Sequence, residues 1–394
     1  MTDALKQFLR EHAADDPARL LLAASRYPEI DMPFAVTQIA ARRQIRDKLP
    51  SWYANEDLIF PSKTAAEQCS SELTARYKQR LVVGSQSLCD LTGGLGIDSY
   101  YFSRKLRQVT YMERSPDYCQ AARHNFRTLN ADNIIVQQGD AAQAARLPAS
   151  TDIFYIDPAR RDAGDKRVYA LSDCEPCLPS LLPLLLSRAP KVIAKLSPMA
   201  DLRQTAALLP GTREIHVLSV KNECKELLFV IERGESTESP AVCCVNLTAG
   251  KEETFRFTLA EEQAARPLIA SAVHPFLYEP NASILKAGAF KSLSARWKLD
   301  KLAIGSHLYT SPHPVEDFPG RAFAVEAVRP FNNRLCKDLS KSVPQAHITV
   351  RNFPLSADEL RRRIKIRDGG NIYLFATALA DGEKVLIQCR KYIP

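Results

Sequence analysis

No run of about 18 apolar residues occurs in this chain of 394 residues, so no ordinary membrane-spanning helix is expected. The most apolar stretch, LPSLLPLLLSRA, is short and interrupted by Pro179 and Pro183. The first residues, MTDALKQFLREHAADD, are polar and amphipathic and lack the apolar core of a secretion signal, which leads to the expectation of a cytoplasmic protein. In that setting the ten cysteines read as reduced thiols. Cys174 and Cys177 form a single CxxC, with neither a second pair nor histidines at zinc spacing nearby, so no metal is expected. Long internal repeats and low-complexity tracts are missing too. Net charge is only +8, mild for this length, so its distribution matters more than its size.

What the chain does contain is concentrated between residues 87 and 162. LCDLTGGLGID, YMERS, QQGDA and FYIDPARRD follow one another at steps of roughly one strand plus one helix. Each places a polar group at the carboxyl end of a predicted parallel strand: Asp90 and the turn of Gly93, Gly94 and Gly96 after the first, Glu113 after the second, Asp140 after the third, Asp157 and Pro158 after the fourth. Open α/β sheets bind ligands at such ends. The turn lacks a third glycine at Ser99, so the dinucleotide fingerprint GxGxxG is incomplete. Glu113 can take a ribose diol, which NAD and S-adenosylmethionine share. Asp140 can accept from an adenine amino group, although Gly139-Asp140 also makes a plain helix cap.

Strands are predicted at 86–92, 108–113, 133–138, 152–157, 191–196, 213–220 and 225–232. Only Lys221 to Cys224 joins the last two, too short for a parallel crossover, so they must form an antiparallel hairpin. The dinucleotide fold closes with parallel strands instead. Upstream, Asp16-Pro17 can start one helix, and SKTAAEQCSSELTARYKQRL reads as a long helix with a serine cap, whose Glu67, Gln68, Ser71 or Glu72 could face a ligand or simply solvent. Expected domains are a helical segment 1–75, an α/β domain 76–233, and two small α+β modules, 240–315 (ferredoxin-like) and 320–394, separated by RGESTESP and TSPHPVEDFPG.

Together these features resemble the class I S-adenosylmethionine-dependent methyltransferases, and EQCSSELTARYK, DLTGGLGID, DPARRD and KIRDGGNIYLFATALADGEKVLIQC resemble their bacterial family with a C-terminal THUMP-like domain. The resemblance implies a seven-stranded Rossmann-like sheet and S-adenosylmethionine as cofactor. Gly93, Gly94 and Gly96 would let the backbone approach it, the following helix would face its carboxylate, and Asp90 would meet its ammonium directly or through water. Asp157, Pro158 and Arg160 would form the catalytic motif. The related amino-methyltransferases carry D/N-P-P-aromatic, and here Ala159 replaces the second proline and Arg160 the aromatic, whose guanidinium can stack on a base or hold phosphate. Uracil-C5 methylation would need a cysteine nucleophile where Ser197 stands in KLSPM, leaving Cys174 and Cys177 as the exception.

True THUMP domains help hold tRNA. Basic clusters at Lys286, Lys291, Arg296 and Lys298, and at Arg361, Arg362, Arg363 and Lys365, have the footprint of a phosphate-backbone binder, or of solvated helix faces. The expected activity is methylation of a base nitrogen in structured RNA, tRNA or rRNA. The alternatives are a small-molecule or protein methyltransferase, or a cofactor-binding RNA-interaction protein with little catalysis.

Overall fold

The computed structural model describes residues 1–143, 146–160, 171–234 and 239–393. Its contacts divide into two units, Met1–Glu214 with Glu226–Thr237, and Ile215–Lys225 with Glu238–Pro394.

The first unit opens with helices α1 (Asp3–Glu11), α2 (Pro17–Leu22), α3 (Met32–Ile45), α4 (Pro50–Tyr53), α5 (Lys63–Gln68) and α6 (Glu72–Lys78). Asp16 caps α2 by accepting from the Ala18 N–H, as Asp-Pro suggests. The single long helix expected from Ser62 onward is instead two. Ser62 caps α5, Cys69 is extended, and the Ser71 side chain accepts from the Thr74 N–H to start α6. A serine that competes for backbone donors favours a helix start over a helix interior.

The α/β part follows as β1 (Ser87–Asp90), α7 (Ile97–Ser103), β2 (Gln108–Glu113), α8 (Pro116–Thr128), β3 (Ile134–Gln138) and β4 (Ile153–Ile156). After β4 the two-residue strands β5 (Ala159–Arg160) and β6 (Cys174–Glu175) pair antiparallel, and α9 (Leu178–Arg188), β7 (Lys191–Leu196) and α10 (Leu202–Leu208) follow. Strands β8 (Thr212–Val220) and β9 (Glu223–Glu232) make the expected hairpin through Lys221 and Asn222, both at positive φ as a tight two-residue turn demands. The strand order is β3-β2-β1-β4-β7-β9-β8, with β1, β2, β3, β4 and β7 parallel and β9 antiparallel to β7. β4 is buried along its whole length, as a central strand covered on both faces must be. The sheet packs through Leu88, Val109, Tyr111, Ile153, Tyr155 and Ile193 against Phe102 and Phe126 of the helices.

In the second unit β10 (Ala241–Thr248) and β11 (Lys251–Thr258) form a hairpin, followed by α11 (Leu259–Ala264). β10 lies beside β8 in the order β11-β10-β8, so the sheet expected to have seven strands has nine, and this hairpin belongs to it rather than to a separate small module. Then come β12 (Phe276–Pro280), α12 (Ala282–Ala287), α13 (Phe290–Trp297), β13 (Asp300–Lys301), β14 (Tyr309–Ser311), β15 (Gly320–Pro330), α14 (Asn333–Ser342), β16 (His347–Val350), α15 (Ala357–Ile364), β17 (Ile372–Ala378) and β18 (Lys384–Tyr392). Strands β12 to β18 share one sheet in the order β13-β14-β12-β15-β18-β17-β16, so the two expected modules join where β12 pairs with β15. Among the described residues no helix is long and apolar enough to cross a membrane.

Candidate active site at the strand ends

Strand β1 ends in Asp90 and turns at once into the glycine segment. The Gly93 N–H donates to the Met112 carbonyl, 2.8 Å away, which clamps the turn onto β2. A Cβ at Gly93 would stand 2.2–2.6 Å from the Tyr111 ring, and one at Gly96 2.7 Å from Phe126, so neither position has room for a side chain. Gly94 and Gly96 have φ of +54° and +83°, the left-handed region that glycine enters without strain. Tyr111 locks the turn from below by donating its hydroxyl to the Gly94 carbonyl at 2.6 Å.

Glu113 closes β2 beside this turn, partly exposed. Its Oε2 accepts from the Gly94 N–H at 3.0 Å and its Oε1 from the Ser115 N–H at 2.9 Å. Each oxygen keeps a second lone pair, so a fixed carboxylate faces outward where a diol can be held bidentately. Asp140, after β3, is half-buried, and its Oδ1 accepts from the Ala142 N–H at 2.9 Å, the cap geometry that was its plainer reading.

Asp90 is enclosed instead, at 1% exposure. Its Oδ1 accepts from the Thr92 N–H at 3.1 Å and its Oδ2 from the Ser99 hydroxyl at 2.6 Å, so it ties the turn to the first residues of α7. Burial pushes its pKa up to about 7, with Asp98 adding to the rise and the Ser99 and Thr92 bonds opposing it. The folded form therefore keeps a proton that the unfolded chain has already lost. Asp90's contribution to stability is fully present below the ordinary carboxylate pKa and is lost as pH rises through about 7. Thermal melts at pH 5.5 and 8.5 should show a smaller gap for Asp90→Asn than for wild type; equal gaps would mean that Asp90 is ionised throughout.

At the end of β4, the Asp157 N–H donates to the Thr92 hydroxyl at 2.7 Å, which brings this loop against the glycine segment. Asp157 is partly exposed, and its Oδ2 accepts from the Lys195 ammonium. Pro158 is buried behind it. The Arg160 side chain, and Arg161 with it, lie outside the described residues, so their roles stay as expectations. Ser197 is engaged in its own loop, accepting from the Met199 N–H at 3.2 Å. Cys174 is buried, and Cys177 begins α9 with its sulfur 3.4 Å from the Ser180 hydroxyl. Among the described residues no three His, Cys, Asp or Glu side chains converge as metal ligands.

Reading from sequence missed the charged groups beneath the site. Lys78, wholly buried at the end of α6, reaches Asp98 at 2.9 Å and Glu226 at 3.0 Å. Of the upstream residues thought able to face a ligand, Glu67 and Gln68 are exposed, Ser71 is the α6 cap, and Glu72 is tied to Arg76 at 2.6 Å and Ser51 at 2.8 Å. A lysine in the apolar strand KVIAKL and an acid directly after the glycines were the available signals.

In the second unit the basic residues are unevenly free. Arg361 pairs with Asp368 at 2.9 Å, while Arg363 donates to Asn333 at 2.8 Å and lies over the Phe331 ring. Arg362, Lys365 and Lys298 are exposed. Arg296 stacks over Phe255, Lys291 donates to the Gln263 carbonyl at 3.1 Å, and Lys286 is half-buried on α12.

The strand order, the antiparallel β9 set between β7 and β8, and acidic groups around a glycine turn define a class I methyltransferase. Residues 276–319 match the family model of a ferredoxin-like domain, and residues 320–391 that of a THUMP-like domain. The crystal structure of a "putative methyltransferase" from Porphyromonas gingivalis W83 is 39% identical, with a TM-score of 0.90, over 99% of this chain and 98% of that one. Two curated proteins, from two strains of Mycobacterium tuberculosis and described as uncharacterized S-adenosylmethionine-dependent methyltransferases, are 24% identical over 89% of this chain and 94% of their own. The chain belongs to the class I S-adenosylmethionine-dependent methyltransferases with a C-terminal THUMP-like domain, and it is an enzyme that uses S-adenosylmethionine.

Proposed function

We propose that this methyltransferase modifies a nitrogen of a base in structured RNA, tRNA or rRNA. The observation that carries this reading is Asp157: a carboxylate held at the end of β4 against the glycine segment, with Oδ2 taken by Lys195 and Oδ1 accepting no hydrogen bond among the described residues. Such a group can hold one N–H of an incoming base. Bound at the glycine turn, S-adenosylmethionine supplies an electrophilic methyl group on its sulfonium sulfur. Gly93, Gly94 and Gly96 would pass the backbone close to it, Glu113 would hold the ribose, Asp140 the adenine, and Asp90 would keep the turn in shape. Asp157 would then orient the acceptor in line, and positioning of this kind supplies much of the catalysis.

An RNA substrate is supported by the THUMP-like domain and by the exposed basic residues near it. Nucleosides from the RNA of a deletion strain and its parent, compared by mass spectrometry, should differ by one methylated base; identical profiles would overturn the RNA reading. Affinity for that RNA should fall steeply with salt. Replacing Arg362 and Lys365 by Gln should reduce the salt slope by about 0.7–0.9 per lost phosphate contact while leaving S-adenosylmethionine affinity intact. Superimposable gel-shift titrations of wild type and variant at two salt concentrations would mark these residues as a solvated helix face.

A further inference from the structure

We propose that Lys195 is a positioning residue for methyl transfer, fixing the Asp157 carboxylate toward the acceptor. The inference rests on the reading of Asp157 as the acceptor-orienting group.

The sheet register produces the pair. Ile156 of β4 lies beside Ala194 of β7, so the next residues, Asp157 and Lys195, leave neighbouring parallel strands side by side. The Asp157 backbone is anchored through its N–H to Thr92, and without a further partner its carboxylate would have several rotamers open to it. The Lys195 ammonium takes Oδ2, which leaves Oδ1 as the one oxygen turned to the acceptor.

Lys195 in turn is largely buried, its side chain 12% exposed, and a largely buried ammonium needs a carboxylate partner such as Asp157. Burial works against its charge, but Asp157, Glu226 and Asp98 outweigh that and hold its pKa above the ordinary lysine range. Those two further acids are themselves fixed. Lys78 bridges them and donates to the Ser70 hydroxyl at 2.8 Å; Ser70 and Tyr155 donate to Asp98 Oδ2 at 2.8 and 2.7 Å. Burial alone would raise the Asp98 pKa, yet Lys78, Lys195 and the Tyr155 bond hold it below the usual value. Asp98 stands just after Gly96, where α7 begins, while Ser70 and Lys78 come from the break and end of the α5–α6 segment, so this cluster ties the start of α7 to the upstream helices. The break between α5 and α6 is what delivers Ser70 to it.

Full-length Lys195→Met, Lys195→Gln and Lys195→Arg enzymes should be assayed with S-adenosylmethionine carrying a tritiated methyl group and total RNA from a strain lacking the gene. At saturating cofactor, Met and Gln should lower the turnover rate more than about tenfold, Arg should restore it to within about threefold of wild type, and the calorimetric Kd for S-adenosylmethionine should stay within about threefold. Combining Lys195→Met with Asp157→Asn should cost no more activity than Asp157→Asn alone. Wild-type turnover in Lys195→Met, multiplicative losses in the double variant, or a parallel loss of cofactor affinity would overturn the proposal. If wild type labels no RNA, the RNA reading fails, and the melting temperatures of the same two singles and the double decide the pair: strongly non-additive shifts support it, and additive shifts overturn it.

Discussion

Asp157→Ala should lower the rate of methyl transfer more than about tenfold, a loss of at least ~1.4 kcal/mol of transition-state stabilisation, while the affinity for S-adenosylmethionine changes little. The carboxylate leaves β4 with one oxygen engaged by Lys195, and on the proposed reading the substitution removes the other oxygen's contact with the acceptor. It also strips Lys195 of its nearest partner, and Asp157→Asn, which keeps shape without charge, separates the two effects. Asn should fold closer to wild type in melting temperature and still transfer slowly. Parallel losses of rate and cofactor affinity in both variants would make Asp157 a cofactor-holding or structural residue instead.

Gly93→Ala should be the most damaging single change in the glycine turn. Its new methyl would stand 2.2–2.6 Å from the ring of Tyr111, which is fully buried and held at its other end by the Gly94 carbonyl, so neither ring nor turn can give way cheaply. Overpacking of this kind costs about 1–3 kcal/mol of stability, and any relief obtained by shifting the turn moves the Gly94 N–H away from Glu113. Cofactor affinity should fall at least about tenfold. Gly94→Ala meets only the Thr92 carbonyl at 3.8 Å, so its cost is the left-handed backbone alone, about 1–2 kcal/mol. Calorimetry and melts on both variants test the order; a worse defect at Gly94 would show that the ligand, rather than Tyr111, requires these glycines.

Much of the α/β unit was legible because its signals are local. Strands 108–113 and 191–196 coincide with β2 and β7, and the others fall within one or two residues of β1, β3, β4, β8 and β9, since short apolar runs bounded by polar ends have few other ways to be buried. The short link after Val220 forced the hairpin by reach alone. The helix from Ser62 was misjudged as continuous because its composition suits a helix throughout, whereas in the fold Ser71 caps a new helix and Ser70, in the break, donates to the buried Asp98.

By itself the sequence determined the order of strands and helices, the glycine turn and the acids at the strand ends, because chain connectivity and side-chain periodicity act over a few residues. Tertiary structure alone decided what each acid does. Asp90, Glu113 and Asp157 are equally carboxylates in the sequence, yet one is sealed under the turn, one is braced by two backbone N–H groups and half open, and one is paired with a lysine 38 residues further on. The reason is that ionisation and hydrogen bonding depend on burial and on partners brought from distant segments. Lys78, Asp98 and Glu226 lie on three separate elements, and Lys195 and Asp157 come from two strands, so only folding brings each set together.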